Sequence, residues 1–228
     1  MKNKCVSFLR SKKLIILILL LACSGCDSEK VGLRELKRLC EKDAGLKIYK
    51  TVEADGFYNA YSNNGITEYL INGSYNFYEF CDSSPSPSRN TLFPEPGCFK
   101  VSKVIRKSGL CDERVDKALF RYDRPGFVDF REKHCIVVEK IEKPIAKYSY
   151  HSGLKSWSAK NEVSEFIRSY VQLKETANNE ILSEYISYSY NKRPGHTTPI
   201  DCPNINKQMP SYSESKLIER TIIPYKEK

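Results

Sequence analysis

Hydrophobic positions recur at two different periods along this chain. Over 31–44, "VGLRELKRLCEKDA", Leu33, Leu36, Leu39 and Cys40 fall on one helical face, and Gly45 stands where a helix ends. The next run, "LKIYKTVEA", is rich in β-formers and predicts a strand carrying Leu46, Ile48, Tyr49, Thr51 and Val52. In "GITEYLINGSYNFYEFC", Asn72-Gly73 between two β-rich runs predicts a type I′ hairpin. That register puts Ile66, Leu70, Tyr75 and Phe77 on one face and Tyr69, Ile71, Tyr78 and Phe80 on the other. Both faces are then apolar, as in a hairpin covered on each side or one with a face left for a partner.

Residues 82–97, which contain "SPSPSRNTLFPEPG", read as a Pro/Ser loop. "CFKVSKVIRKSG" and "ALFRYDRPGFVDF" are strand candidates separated by "LCDER", and 134–153 continues as strand with Pro144 at an edge or bulge. Val163, Phe166, Ile167, Tyr170 and Val171 then recur at helical spacing, predicting over 159–175 a helix packed on the sheet. "EILSEYISYSYNK" returns to strand, and "RPGHTTPIDCPN" is a turn-rich closure. The prediction is an α+β fold: an antiparallel sheet with an N-terminal helix and a second packing helix. It forms one domain over 31–203, after a short tether at 26–30 and before an extended tail at 204–228.

The first residues follow another logic. Lys2, Lys4, Arg10, Lys12 and Lys13 precede an unbroken apolar run of nine residues, Leu14–Ala22. That is too short to span a bilayer, which takes about 20 residues. A basic start followed by a short apolar stretch is the pattern of a secretory signal, here 1–25. "LLAC" at 20–23 and "CSGC" at 23–26 both resemble the bacterial lipoprotein processing box, in which the cysteine is diacylated and becomes the new N-terminus. Cys23 has the better leucine upstream, and Cys26 the better Ser-Gly pair.

Cysteine parity favours Cys26. The chain contains nine cysteines, and cleavage before Cys26 leaves six beyond the lipidated one: Cys40, Cys81, Cys98, Cys111, Cys135 and Cys202. Cleavage before Cys23, the second choice, leaves seven and so one unpaired thiol in an oxidising space. The Cys23-x-x-Cys26 spacing also straddles the cut, which argues against a redox pair.

Processing changes the charge as well. All 28 acidic residues follow residue 26 but five of the 37 basic ones precede it, leaving 32 against 28, a net +4 instead of +9. Such a mild, dispersed excess is not a nucleic-acid patch. No second apolar segment is long enough to cross a membrane.

Motifs for chemistry are sparse. There is no G-x-S-x-G, H-E-x-x-H, G-x-x-x-x-G-K or G-x-G-x-x-G, so no catalytic residue, metal site or cofactor is assigned. His134 adjoins Cys135, but a cystine sulfur is no nucleophile. His151 and His196 lie in turn-like contexts. Glu139 and Glu142 have opposite strand parity, and Asp112, Glu113 and Asp116 alternate with Arg114 and Lys117 as on a solvated face. Tyr185, Tyr188 and Tyr190, interleaved with serines, suit recognition, or else simply cover a helix.

"LCEKDAGLKIYKTV" at 39–52 resembles the opening of a group of small bacterial exported proteins and lipoproteins of unknown function, with Ala44 where the group usually has a glycine. "SEYISYSYNKRPGHTTPIDCP" is similar to its far end. The resemblance implies an envelope location and a disulfide clasp between Cys40 and Cys202. The other four cysteines then pair most simply as Cys81–Cys98 and Cys111–Cys135, among fifteen connectivities open to six cysteines. It implies no activity. The expected protein is lipid-anchored to the inner or outer membrane and faces the periplasm. It would bind another envelope protein as an immunity, exclusion or accessory factor. The alternatives are a periplasmic hydrolase acting on cell-wall or glycan material, or a purely structural role.

Overall fold

A computed structural model describes residues 27–60, 66–83, 93, 95–119, 125–158, 164–192, 199–202 and 214–225. The helix foreseen at 31–44 is α1, Asp27–Asp43, which begins four residues earlier and so takes in 27–30 of the expected tether. It ends at Gly45, whose φ of 114° is the left-handed conformation that a side chain resists. Then follow β1 (Gly45–Ile48), β2 (Val52–Glu53), β3 (Gly56–Asn59), a π-helical turn at Ile66–Ile71, β4 (Phe77–Asp82) and β5 (Gly97–Ile105). A 3-10 turn, Arg106–Ser108, leads to α2 (Glu113–Leu119), α3 (Pro125–Lys133), β6 (His134–Ile141), β7 (Tyr148–Ser158), β8 (Glu165–Glu175) and β9 (Ile181–Asn191). β10 (Ile200–Asp201), α4 (Glu214–Thr221) and β11 (Ile222–Ile223) complete the described chain.

Among the described residues, nine strands form one mixed, mostly antiparallel sheet in the order β1-β9-β8-β7-β3-β4-β5-β6, with β10 on β9. β3 pairs in parallel with both β4 and β7, and β2 pairs in parallel with β11 in a separate small sheet. The α+β class and the N-terminal helix are therefore as expected, but four local expectations are corrected.

First, residues 165–175 form strand β8, not the second packing helix. The strand carries apolar residues on both faces, Phe166 on one parity and Val171 and Leu173 on the other, and that distribution imitates a helical period. A tight turn at Thr176–Asn178 commits it to β9. There Asn179 takes φ 58°, and Glu175 N–H donates to Glu180 O at 2.9 Å.

Second, Asn72-Gly73 does not make a type I′ hairpin. Positive φ is confined, among the described residues, to Asn179, Gly45, Gly97 and Gly109, and type I′ needs it at both turn positions. The preceding residues wind into the π-helical turn, which buries the consecutive side chains Tyr69 and Leu70 together, as an alternating strand could not.

Third, the strand foreseen across "ALFRYDRPGFVDF" is replaced by α2 and α3. Asp112 Oδ1 caps α2 by accepting the N–H groups of Arg114 (3.0 Å) and Val115 (3.2 Å), and Pro125 opens α3 where its missing N–H is harmless. Fourth, residues 214–223 of the supposed extended tail are α4 and β11. Leu217, Ile218, Thr221 and Ile222 share one buried stripe.

Two compact units can be distinguished. One takes in the described residues within Met1–Gly45, Leu154–Ser169 and Ser187–Pro210. In it α1 buries Leu36 and Cys40, and Cys40 is bonded to Cys202. Gly32 meets the Tyr190 ring so closely that a Cβ there would lie 2.4 Å from Cζ. Phe166 packs against Trp157 and Tyr190 at centroid distances of 5.7 and 5.1 Å.

The other unit comprises Leu46–Gly153, Tyr170–Ile186 and Ser211–Lys228. Its core is aromatic. Phe57 meets Tyr69 and Tyr75 edge-on at 4.9 and 5.3 Å, and Phe80 meets Phe93 edge-on at 4.7 Å. Leu217, Ile218 and Ile222 close this core, and the Tyr75 hydroxyl donates to Ile222 O at 2.9 Å. Phe93 comes from the Pro/Ser segment, so that loop inserts a ring into the core. The bonds Cys81–Cys98 and Cys111–Cys135 also belong to this unit.

Phe80→Ala should lower the unfolding free energy by about 3 to 5 kcal/mol, because it removes a ring in contact with three others. Leu154→Ala, at a side chain 76% exposed, should change it by less than about 0.5 kcal/mol. Chemical denaturation of both variants checks the contrast.

Candidate functional site

On β3, alternate residues face opposite sides of the sheet. Phe57 and Asn59 lie beside Tyr78, Phe80 and Tyr150 on the aromatic side. Tyr58 faces the other way, with Glu79 of β4 and Ser149 of β7 as its register partners. Strand pairing thus lines up Glu79, Tyr58 and Ser149 across three strands, and His151, two residues further along β7, extends the row.

Glu79 is completely buried. Its Oε2 accepts the backbone N–H groups of Ile145 (2.8 Å) and Ala146 (2.9 Å), while the buried Oε1 has no hydrogen-bond partner. The same segment is held from β8's end: the Thr176 hydroxyl donates to Ala146 O at 2.9 Å, and Thr176 N–H to Lys147 O at 2.8 Å. Residues 142–147, including Pro144, therefore form a strap pinned over a buried carboxylate. Burial, reinforced by the Glu79 charge, raises the Tyr58 pKa and keeps its phenol protonated.

His151 Nε2 lies 2.9 Å from Ser149 Oγ. Burial, and secondarily the Lys174 charge, pushes the His151 pKa below its ordinary 6.5, so the imidazole is neutral at physiological pH. A neutral imidazole on a serine hydroxyl is half of a nucleophilic device. Here, however, Ser149 is only 4% exposed, and Glu79 is occupied by two backbone donors. Both groups lie below the surface that a polymeric substrate reaches, and Glu79 ties β4 to the strap.

The remaining residues singled out in the sequence are placed as follows. Cys23 and Cys26 lie outside the described residues, as does His196. All six later cysteines are paired, as Cys40–Cys202, Cys81–Cys98 and Cys111–Cys135. His134 begins β6 near the Phe130 ring, and its carbonyl accepts a hydrogen bond from Arg106. Glu139 stands opposite Lys100 of β5, and Glu142 lies just beyond β6. Asp116 is not on a solvated face: it is buried against Arg106, with Nη1 to Oδ2 at 2.7 Å. Tyr188 and Tyr190 are buried and Tyr185 packs on the aromatic core, so these side chains cover the protein's own interior.

Sequence reasoning missed Glu79 and Arg106, whose importance comes from partners 66 residues and 10 to 28 residues away. Arg106 also donates to Arg131 O, so one guanidinium ties the 3-10 turn to α2, α3 and β6. Around it, Ile105 and Leu110 are each 65% exposed. Ile145, at the crest of the strap, is 69% exposed. Among the described residues no group of three or more His, Cys, Asp or Glu could hold a metal ion, and no helix is long and apolar enough to cross a membrane. No family model, curated protein or solved structure matches the chain.

Glu79→Ala should cost roughly 3 kcal/mol, because it strands two backbone donors, whereas Glu79→Gln retains an acceptor and should cost about 1 kcal/mol or less. Denaturant midpoints separate the two. The His151 titration followed by NMR should have a midpoint below 6.5. Since the folded pKa is the lower one, the linked stability is complete above pH 6.5 and declines as pH falls from there toward the folded midpoint. His151→Asn should flatten that part of the stability–pH curve.

Proposed function

We propose that this chain is a bacterial envelope lipoprotein, anchored through acylated Cys26 and facing the periplasm, that binds another envelope protein without catalysing a reaction. The support for the compartment is chemical. Every cysteine after Cys26 is in a disulfide, the state of a chain matured away from cytosolic reductants. The support for binding is one surface feature: Ile105 and Leu110 project from a turn held by Arg106, Asp116 and the Cys111–Cys135 bond. Apolar side chains presented by a rigid turn lose little freedom on contact with a partner, so more of their burial appears as affinity.

Two measurements test this reading. Intact mass of protein extracted from membranes should correspond to a chain starting at acylated Cys26 with no free thiol; a start at Met1 overturns the anchor. Crosslinking in intact cells should recover one defined envelope protein, and Ile105→Ser with Leu110→Ser should abolish that recovery. Undiminished recovery with the double variant, or none with the wild type, overturns the proposed surface.

A further inference from the structure

The three disulfides differ in what they can do chemically. Cys40 and Cys202 are both buried, and in the Cys111–Cys135 bond Cys135 is buried and Cys111 half-buried, so neither bond offers an exposed cysteine to a dissolved thiolate. Cys81, by contrast, is exposed at the end of β4, and Cys98 is half-buried. Thiol–disulfide exchange needs direct approach of a thiolate to sulfur, so exposure separates a labile bond from a permanent one.

The position of the Cys81–Cys98 bond in the sheet also matters. The two residues are direct partners in the β4–β5 ladder, which runs from Phe77 opposite Ser102 to Asp82 opposite Gly97. The β4–β5 ladder sets the two residues directly opposite each other, and β6 secures the far side of β5. Phe93, inside the intervening segment, is independently fixed between Phe80 and Phe99. Opening the bond therefore leaves the strands and the core in place. Cys40–Cys202, which joins residues 162 apart, and Cys111–Cys135, which ties the approach to α2 onto β6, have no such ladder between their own cysteines.

We propose that Cys81–Cys98 is a thiol–disulfide exchange site that accepts electrons from a dithiol of the Cys-x-x-Cys oxidoreductase class while the protein stays folded. One thiolate of the dithiol attacks Cys81 Sγ. The Cys81–Cys98 bond breaks, its electron pair leaves on Cys98, and a mixed disulfide joins the reductant to Cys81. Cys98 takes a proton from solvent. The second thiol of the reductant then attacks its own sulfur in the mixed disulfide and releases Cys81 as a thiol. Two electrons and two protons pass to the protein, and the reductant becomes a disulfide.

This site does not depend on the binding reading. The test uses the oxidised full-length chain in native buffer, treated with dithiothreitol for graded times, alkylated and peptide-mapped by mass spectrometry. Cys81 and Cys98 should be modified at least roughly tenfold faster than Cys40, Cys111, Cys135 and Cys202, with an unchanged far-UV circular dichroism spectrum. A thioredoxin-class protein lacking its resolving cysteine should be trapped on Cys81. Equal modification of the other four, or modification only as the spectrum collapses, overturns the proposal. So does a Cys81→Ser/Cys98→Ser variant that fails to fold, since the ladder would then be insufficient without the bond.

Discussion

The edge-to-face contacts of Phe57 with Tyr69 and Tyr75, continued through Tyr78, Phe80, Phe93 and Phe99, are the interaction on which the larger unit depends. Phe57, Tyr78, Phe80 and Phe99 come from strands, Tyr69 from a single helical turn, Tyr75 from the residues after it, and Phe93 from a Pro/Ser loop. None of those segments is long enough to hold its shape alone. β3, with four residues, has no hairpin partner and is held in parallel on both sides. Burial of large rings with favourable mutual geometry supplies what these local segments lack.

Polar groups complete the arrangement where apolar ones cannot. Glu79 satisfies two backbone donors of the strap, and Arg106 gathers a carboxylate and two carbonyls around one guanidinium. Each replaces a missing stretch of regular secondary structure by a charge-assisted contact, which is stronger than a neutral hydrogen bond. The consequence for function is rigidity at the surface: Ile145 and the pair Ile105 and Leu110 are exposed on segments whose backbones are fixed from beneath.

The cysteines divide the same way. One bond joins the first helix to the closing segment, and another secures the helices before β6. The third duplicates a constraint that the sheet already imposes. A bond of that kind is free to take on redox chemistry, because the fold does not hang on it.

The α1 helix, the glycine at its end, strands β5, β6, β7 and β9, and a disulfide-rich α+β class were legible in the amino-acid pattern. Each depends on neighbours within a few residues or, for cysteines, on a parity that needs no geometry. Whether 165–175 is helix or strand was decided only by the tertiary structure, since apolar residues on both faces of a strand scatter into a helical-looking period. The same holds for Ile66–Ile71, for α4, and for the inward turn of Tyr188 and Tyr190. Glu79, Tyr58, Ser149 and His151 form a row only because two parallel pairings bring β4, β3 and β7 into register. Register between strands distant in sequence is set by how their side chains share one core, and no local pattern records that choice.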